Sequence, residues 1–301
     1  MRKIQMDLHM HTCYSNDGEY RPALLMQMCK EAKMDVVAIA DHNTLEGISE
    51  AKQTAVKLGM EFIPGIELDC HIHGVNLHVL GYGIDEHNEA LQNLSMNVRK
   101  MEQNNSQKQL DLVKGLGYYI DEEKAYKLSH HNVITGEILA EVALQDSRND
   151  ALMKDYLPGG SRSDNAFVNF YWDVCSQGKP GYVPITYITL EEAVDIIKNA
   201  GGIAILAHPG NNTKEDEDLL TEIFNFDVKG LEAYSSYHTK EQIAFYIDWA
   251  NKHHVLISAG SDCHGKTKPA IHIGDTQCAD TTPLYEAIRE ALNNSKRKQR
   301  N

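Results

Sequence analysis

Strand and helix alternate three times within the first 66 residues, lapse, and alternate again from residue 190 onward. That broken alternation constrains the fold more than any other feature of the chain. Residues 4–9 ("IQMDLH") read as a strand. Residues 22–33 read as a helix opened by Pro22, with Leu25, Met28, Cys29 and Ala32 at helical spacing. The stretch "DVVAIA" (35–40) is nearly all apolar, the pattern of a strand buried on both faces. Thr44 is placed to cap the next helix, whose inner stripe is Ile48, Ala51, Ala55 and Leu58 and whose end is Gly59. Met60–Ile66 reads as a third strand. Short buried strands between amphipathic helices predict parallel strands joined by helical crossovers.

More strand follows at 68–73 ("LDCHIH") and 75–83 ("VNLHVLGYG"), with Gly74 between them as a turn. After Asp85 the character changes. Leu91, Leu94, Val98 and Met101 keep helical spacing, and no buried strand is legible up to about residue 182. Alternation then resumes: a helix from Leu190 to Asn199, the strand "IAILA" (203–207), a helix at 218–224, and a strand at 230–233. A helix at 239–252, a strand at 255–259 and a last helix at 283–293 complete the series, and the basic end "SKRKQRN" reads as a frayed, solvated terminus. The expected architecture is one discontinuous α/β barrel-like domain, residues 1–87 and 183–301, carrying a mostly helical insertion at 88–182.

Ligand-type residues recur at the ends of these strands. His9 and His11 follow the first, His42 (after Asp41) the second, and Glu67 the third. His78 lies in the next strand, His208 ends "IAILA", and Asp262 and His264 follow the last; Asp17 is near the first pair. In a parallel barrel the strand C-termini open on one face, where such folds build active sites. Each motif alone is a weak signal. Together they aim six imidazoles and three carboxylates at one cavity, a donor set that suits two or three divalent cations such as zinc, manganese or iron. The remaining histidines (71, 73, 87, 130, 131, 238, 253, 254 and 272) read as packing or surface residues, and Glu232 as a partner that orients a ligating histidine.

Composition narrows the partners. A formal charge of −14 disfavours tight binding to long nucleic acid, which depends on Lys and Arg neutralising phosphates. It is compatible with a small phosphorylated substrate held through cations. The six cysteines are scattered without a C-x-x-C pair, the pattern of reduced thiols in a cytoplasmic protein. The charged start has no apolar signal region, and no apolar run is long enough to span a bilayer.

The ordered motifs "DLHMHTCYSNDG", "AIADHNT", "GIELDC", "HVLGYG", "AILAHPG" and "GSDCHG" resemble those of the PHP (polymerase and histidinol phosphatase) superfamily across nearly all of 1–83 and 183–265. Asp17 in "SNDG" and the insertion before "GYVPITYITLEEAVDIIKNAGG" most resemble the stand-alone branch of nucleotide phosphatases and 5′-exonucleases. The resemblance implies a distorted (β/α)7, TIM-like barrel with a trinuclear site. His9, His11, Glu67 and Asp262 are then expected to hold one metal ion, Glu67 to bridge to a second held also by His78 and His208, and Asp17, His42 and His264 to hold a third.

The implied reaction is hydrolysis of a small phosphomonoester, a nucleotide or a short oligonucleotide end, with the insertion as a lid. Its nucleophile is a water whose pKa falls from 15.7 toward about 7 between two cations. Other readings are a histidinol-phosphate phosphatase, a metal-binding but non-catalytic module, and a C–N hydrolase. The last wants a lysine at a strand end, and none stands at one. The resemblance also implies an arginine in the insertion that reaches the substrate phosphate. The corresponding "ITGEILAEVAL" has Gly136 and Ile138 at those places, which leaves Arg99, Arg148 and Arg162 as candidate phosphate contacts.

Overall fold

The computed structural model describes residues 3–299. Strand β1 (Met6–Asp7), helix α1 (Pro22–Glu31), β2 (Val36–Val37), α2 (Ile48–Lys57) and β3 (Glu61–Phe62) realise the first alternation. The three strands are parallel, with Met6 paired to Val36 and Val36 to Glu61. The ladder is short, but hydrogen bonds run beyond it: Ala38 N–H donates to the Asp7 carbonyl (3.1 Å) and Ala40 N–H to that of Met10 (2.8 Å). Helix α2 starts later than its predicted cap. Gly47, not Thr44, is the cap residue, and the Thr44 hydroxyl instead accepts from Glu46 N–H at 3.4 Å. Gly47 lies against the Asp41 carboxylate, which would stand 2.8 Å from a Cβ there, so a side chain is excluded.

The second sheet holds β4 (Gly65–Ile72), β5 (Val75–Tyr82), β6 (Ile188–Thr189), β7 (Ile203–Leu206), β8 (Gly230–Ser235) and β9 (Leu256–Gly260), in the order β6-β4-β5-β7-β8-β9. Here the all-parallel expectation fails. β5 runs antiparallel to both β4 and β7. The cause is local: His73 and Gly74 both take positive φ (+48° and +80°), the two-residue turn that sends a strand straight back along its neighbour. The β7–β8–β9 pairs are parallel as expected.

Two seams of hydrogen bonds join the sheets. On one side Asn43 N–H donates to the Glu67 carbonyl (2.8 Å) and Glu67 N–H to that of Asp41 (3.2 Å). On the other, Leu8 N–H donates to the Ala259 carbonyl (3.1 Å) and Asp262 N–H to that of His9 (2.7 Å). Alternate strand residues part into two cores. Met6, Leu8, Ala38, Tyr82, Ile205 and Ala259 pack with one another and with Tyr285, Ile288 and Leu292. Val37, Ile39, Leu68, Leu206 and Leu231 face the other way, onto helices.

Between β5 and β6 the chain is helical: α3 (Glu89–Gly115), α4 (Glu122–Leu128), α5 (Gly136–Leu144), α6 (Asp150–Met153) and α7 (Ala166–Phe170), the last running into a π-turn at Tyr171–Cys175. Asn88 caps α3 by accepting from Leu91 N–H. Leu91, Leu94 and Val98 of α3 pack on the main core. Leu110 and Val113, further along the same helix, join a separate cluster with Leu139, Val142, Met153 and Phe170.

The flanking helices resume with α8 (Leu190–Asn199), α9 (Pro209–Asn212), α10 (Glu217–Phe224), α11 (Lys240–His253) and α12 (Thr282–Gln299). Thr189 and Glu192 form a reciprocal capping box at the start of α8. Helix α12 outruns its predicted end at 293, so the basic segment through residue 299 is helical rather than frayed. Residues 1–2 of the charged start and 300–301 of the basic end lie outside the described residues. Among the described residues no helix is long and apolar enough to cross a membrane.

Candidate metal centre

The strand ends deliver their polar residues to one place. His9 and His11 lie just past β1, His42 past β2, His208 past β7, and Asp262 and His264 past β9, while Glu67 lies on β4. His78 arrives differently. It sits mid-strand on β5, and the antiparallel register pairs it with Asp69, two residues beyond Glu67 on the same face of β4. Two of these residues hold unusual backbone: His208 at φ +21° and Asp262 at φ +58°. Non-glycine residues in that region carry strain of about 1–3 kcal/mol each, which the surrounding structure must offset, and such strain clusters at functional sites.

The donor atoms form overlapping groups, each with its atoms within 4.8 Å of one another: His9, His11, Glu67 and Asp262; Glu67, His78 and His208; His11, Asp17, His42 and His264; and His42, Asp69 and His78. All nine sequence-predicted residues are thus brought together. The rings of His11 and His264 stack at 3.9 Å, which ties the first group to the third. Burial is graded. His9, His11, Glu67 and His264 are wholly buried, whereas the His42, His78, Asp17 and Asp69 side chains keep 12–27% of their surface, so the centre opens on their side.

Four buried atoms test the fit to a cation directly. His9 Nε2, His11 Nε2, Glu67 Oε2 and Asp262 Oδ1 have no hydrogen-bond partner. They nevertheless approach one another closely: His11 Nε2 lies 3.0 Å from Asp262 Oδ1 and 3.3 Å from Glu67 Oε2, and His9 Nε2 lies 3.3 and 3.2 Å from the same two atoms. Buried polar atoms without partners are rare and costly. Four of them around one point are satisfied together by a divalent cation that accepts imidazole and carboxylate.

Neighbouring groups aim these atoms. His9 Nδ1–H donates to both Glu232 oxygens (3.0 and 3.2 Å), which leaves Nε2 as the free lone pair. His264 Nδ1–H donates to the Asp262 carbonyl at 2.9 Å, and its Nε2 faces Asp17 Oδ2 at 3.2 Å. The Ser15 hydroxyl lies 2.8 Å from His11 Nδ1. Asp41 accepts from the Thr12 N–H (2.6 Å) and hydroxyl (2.7 Å) and fixes the loop that carries Asp17; burial raises its carboxyl to about 6. Gly260 makes room for the arrangement, since a Cβ there collides with His9 and Glu232.

Without cations, protons balance the cluster. Burial works to raise Glu67 and Asp262, but positive charge beside them, chiefly His9 for Glu67 and Lys268 for Asp262, holds both well below the carboxylate range. Burial works to lower His11, but its hydrogen bonds and attraction to Asp262 and Glu67 raise it to about 9. His264 is lowered to about 4, chiefly by burial.

Several contributors escaped sequence reasoning. Asp69 Oδ1 lies 3.0 Å from His78 Nε2 and 3.7 Å from His42 Nδ1. The two-residue strand period from Glu67 was the available signal for it. Glu102 of α3 is half-buried and accepts from the Asn16 amide at 3.1 Å; burial and then Asp69 and Asp17 raise it to about 8. Lys268 is buried with Nζ 2.8 Å from Asp262 Oδ2. A lysine therefore does reach the strand-end face, from a loop rather than from a strand end.

The three candidate arginines do not join the groups. Arg99 pairs with Glu46, Arg148 with Asp146 and Arg162 with Asp173, all on partly exposed surface where charges pair cheaply. Glu232, by contrast, does orient a ligand-type histidine, as its position suggested. Of the histidines set aside, His73 pairs with Glu222 at the hairpin turn, and His238 is satisfied inside the fold, donating from Nδ1 to the Ala233 carbonyl (2.8 Å) and accepting from Gly210 N–H (3.0 Å).

Known proteins resemble this chain in sequence and in fold. A phosphoribosyl 1,2-cyclic phosphate 1,2-diphosphodiesterase from Eggerthella lenta is 27% identical, over 89% of this chain and 97% of its own. A 3′,5′-nucleoside bisphosphate phosphatase from Chromobacterium violaceum is 25% identical over 95% and 96%, and the 5′-3′ exoribonuclease Rnm of Escherichia coli is 27% identical over 89% and 87%. Among solved structures, an amidohydrolase from Chromobacterium violaceum, with bound sulfate and no metal, superimposes with a TM-score of 0.78 over 96% of both chains at 23% identity. A chain described as a metal-dependent phosphoesterase from Bifidobacterium adolescentis gives 0.75 over 95% of both at 24%. At those identities the structures show a shared fold. The family profile described as PHP domain matches residues 7–157, and this chain belongs to that family.

Proposed function

We propose that this protein is a metal-dependent phosphoesterase that hydrolyses a small phosphomonoester, a nucleotide such as a nucleoside 3′,5′-bisphosphate or the 5′ end of a short oligonucleotide. The observation that carries the reading is the convergence of four buried, partnerless lone-pair atoms of His9, His11, Glu67 and Asp262. These residues hold one cation; Glu67, His78 and His208 a second; and Asp17, His42 and His264 a third. Nitrogen and carboxylate donors suit manganese, iron or zinc. When bound, such cations neutralise phosphoryl charge and make a water acidic near neutral pH.

The chain's own part is orientation and exclusion of water. Glu232 keeps the His9 Nδ1 proton in place, so that Nε2 always faces inward. The His264 proton held by the Asp262 carbonyl does the same on the opposite wall. No side-chain nucleophile is needed: Cys263 is buried and its thiol is raised to about 11 by burial, and the Cys13 thiol is also raised.

Both hydrogen-bonded seams support reading the strands as a seven-membered, distorted (β/α)7 ring, with β3 and β4 as one interrupted strand and β6 outside the ring, on the far end of β4. Residues 88–182 act as the lid of a barrel domain formed by 1–87 and 183–301. A cavity of about 160 Å³ lies between lid and sheet, lined by Tyr171, Tyr182, Tyr187, Asn76 and Asn105. One wall is Glu102, which reaches Asn16 beside Asp17. Phenols and amides beside the open edge of the centre suit a planar base better than a cationic amine, which favours a nucleotide. The six free thiols suit the reducing cytoplasm.

The test is phosphate release with added Mn²⁺ from nucleoside mono- and 3′,5′-bisphosphates, histidinol phosphate and short 5′-phosphorylated RNA, with Asp262→Asn as control. Turnover of a nucleotide class, lost in the variant, is expected. No turnover by protein shown to carry two or three metal ions overturns the reading.

A further inference from the structure

A phosphoesterase of this kind needs a fixed positive group for the phosphoryl oxygens, and the usual candidates are missing. The α5 segment carries Gly136 and Ile138 where an arginine was expected, and Arg99, Arg148 and Arg162 are engaged by carboxylates outside the centre. Among the described residues one cation does reach it. We propose that Lys268 is the phosphoryl-binding residue of this site, in direct contact with the substrate's phosphate; the proposal rests on the phosphoesterase reading.

The placement of Lys268 is specific. Its side chain is only 8% exposed, although a lysine seldom gives up water without a particular partner. Nζ stands 2.8 Å from Asp262 Oδ2 and 3.5 Å from His264 Nε2, and 5.3 Å from the centre of the Tyr237 ring. Asp262 therefore shows one oxygen, Oδ1, to His9 and His11 and the other to the lysine. The ammonium sits where the first and third donor groups meet. It carries three N–H donors, and Asp262 takes one in a short bond. The contact with His264 is long, and that nitrogen also faces Asp17. The Tyr237 hydroxyl engages a second N–H, so the one aimed at His264 is the donor left for an incoming oxygen.

The loop that carries Lys268 is built to aim it. Residues 265–267 form a tight turn opened by Gly265 at φ +70°, and Lys268 N–H donates to the Gly265 carbonyl at 3.0 Å. The Thr267 hydroxyl donates to the Asp17 carbonyl at 2.5 Å, which ties the turn to the loop of a ligand-type residue. The two lysines of "GKTK" then part. Lys266 points outward and pairs with Glu141 of α5 at 2.7 Å, and Lys268 points inward.

Why this is a substrate contact rather than a counterion follows from charge. An ammonium 3.5 Å from a ligand nitrogen repels any cation placed on that nitrogen. A lysine serving Asp262 alone thus works against loading of the centre. A phosphate dianion lying across the cations and the ammonium removes that conflict, because it is attracted to all of them.

The experiment compares wild type, Lys268→Met and Lys268→Arg for metal content by mass spectrometry, for inorganic phosphate affinity of the Mn²⁺-loaded proteins by calorimetry, and for kcat and KM. Lys268→Met, which keeps the volume and loses the charge, is expected to load at least as many ions as wild type. It is expected to bind phosphate about 10- to 100-fold more weakly, with a matching fall in kcat/KM. Lys268→Arg should recover part of both. Phosphate affinity within twofold of wild type in Lys268→Met overturns the proposal, and so does loss of metal, which makes Lys268 a positioning residue for Asp262. If Lys268→Met does not fold, Lys268→Arg carries the test, and phosphate affinity and kcat/KM both unchanged while metal loading alone is altered overturn the proposal. The parent reading fails separately, through a metal-loaded wild type with no turnover.

Discussion

Glu232→Gln removes one charge and little volume, and its consequences follow from two contacts. The carboxylate accepts from His9 Nδ1–H at 3.0 and 3.2 Å and from His208 N–H at 3.0 Å, and all three groups are buried. A glutamine has one acceptor oxygen where the glutamate has two. With its oxygen at the Oε2 position, which both donors reach, its NH₂ stands 3.0 Å from His9 Nδ1; with its oxygen at Oε1 its NH₂ faces His208 N–H, donor against donor either way. One buried N–H then goes unsatisfied at about 1–3 kcal/mol. If that N–H is His9 Nδ1, the ring is free to adopt the other tautomer and lose its inward lone pair. Partners of this kind typically contribute 10- to 100-fold to metal affinity, equivalent to about 1.4–2.7 kcal/mol. Calorimetric titration with Mn²⁺ of chelated, dialysed protein is expected to show the tightest site weakened by that factor. The site of Asp17, His42 and His264 should change less, since neither His42 nor His264 touches Glu232. A tightest-site affinity within twofold of wild type refutes the reasoning that Glu232 sets the His9 tautomer.

Chelation should destabilise the protein, because cations at about 100 times their Kd stabilise by about 2.7 kcal/mol per site, or about 4 °C in melting temperature; scanning calorimetry with and without chelator reads this. The chelated protein should also lose stability as pH rises from about 6.5 to 9. His11 is raised from 6.5 to about 9, so its contribution is complete below 6.5 and vanishes through 9, whereas His42 and His264, both lowered, act mainly at and below pH 6.5, where the unfolded chain binds their protons. The stabilisation due to metal should therefore grow with pH, and a flat difference between pH 6.5 and 9 contradicts the assignment. Gly260→Ala should cost about 1–3 kcal/mol in urea denaturation and weaken Mn²⁺ binding together, because its Cβ strikes both His9 and Glu232; loss of stability with metal affinity intact means the strain relaxes elsewhere.

Much of the centre was legible because chain chemistry and chain geometry repeat each other in a parallel unit. A buried strand that ends in a polar ligand is conspicuous, since the apolar run before it is dense. "DVVAIA" before Asp41-His42 and "IAILA" before His208 mark both the strand and where it stops. Parallel neighbours then need no pairing information to bring the ends together. Expectation failed where that logic did not hold. The hairpin at His73-Gly74 reverses β5, so His78 reaches the centre by cross-strand register rather than from a strand end. It was identified through its motif, and Asp69, its partner across the same pair, was passed over. Register carries its own information: once Asp69 and His78 are opposite, Glu67 and Asp69 share a face, and both must border the cavity.

The residues that stayed hidden share a different property. Lys268, Glu102 and Asn16 lie on loops or helices where a polar residue is the unmarked choice, so their sequence surroundings say nothing about burial. Lys266 and Lys268 make the point within three residues: the same side chain in the same turn, one exposed and paired with Glu141, the other 8% exposed against Asp262. What separates them is the direction of a turn fixed by Gly265 and by the bond from Thr267 to the Asp17 carbonyl, a contact across 250 residues. Metal-ligand positions in such a protein follow from strand ends, which local sequence specifies. The groups buried beside those positions are placed by long-range loop closure, and there only the folded structure distinguishes a surface lysine from one buried against Asp262.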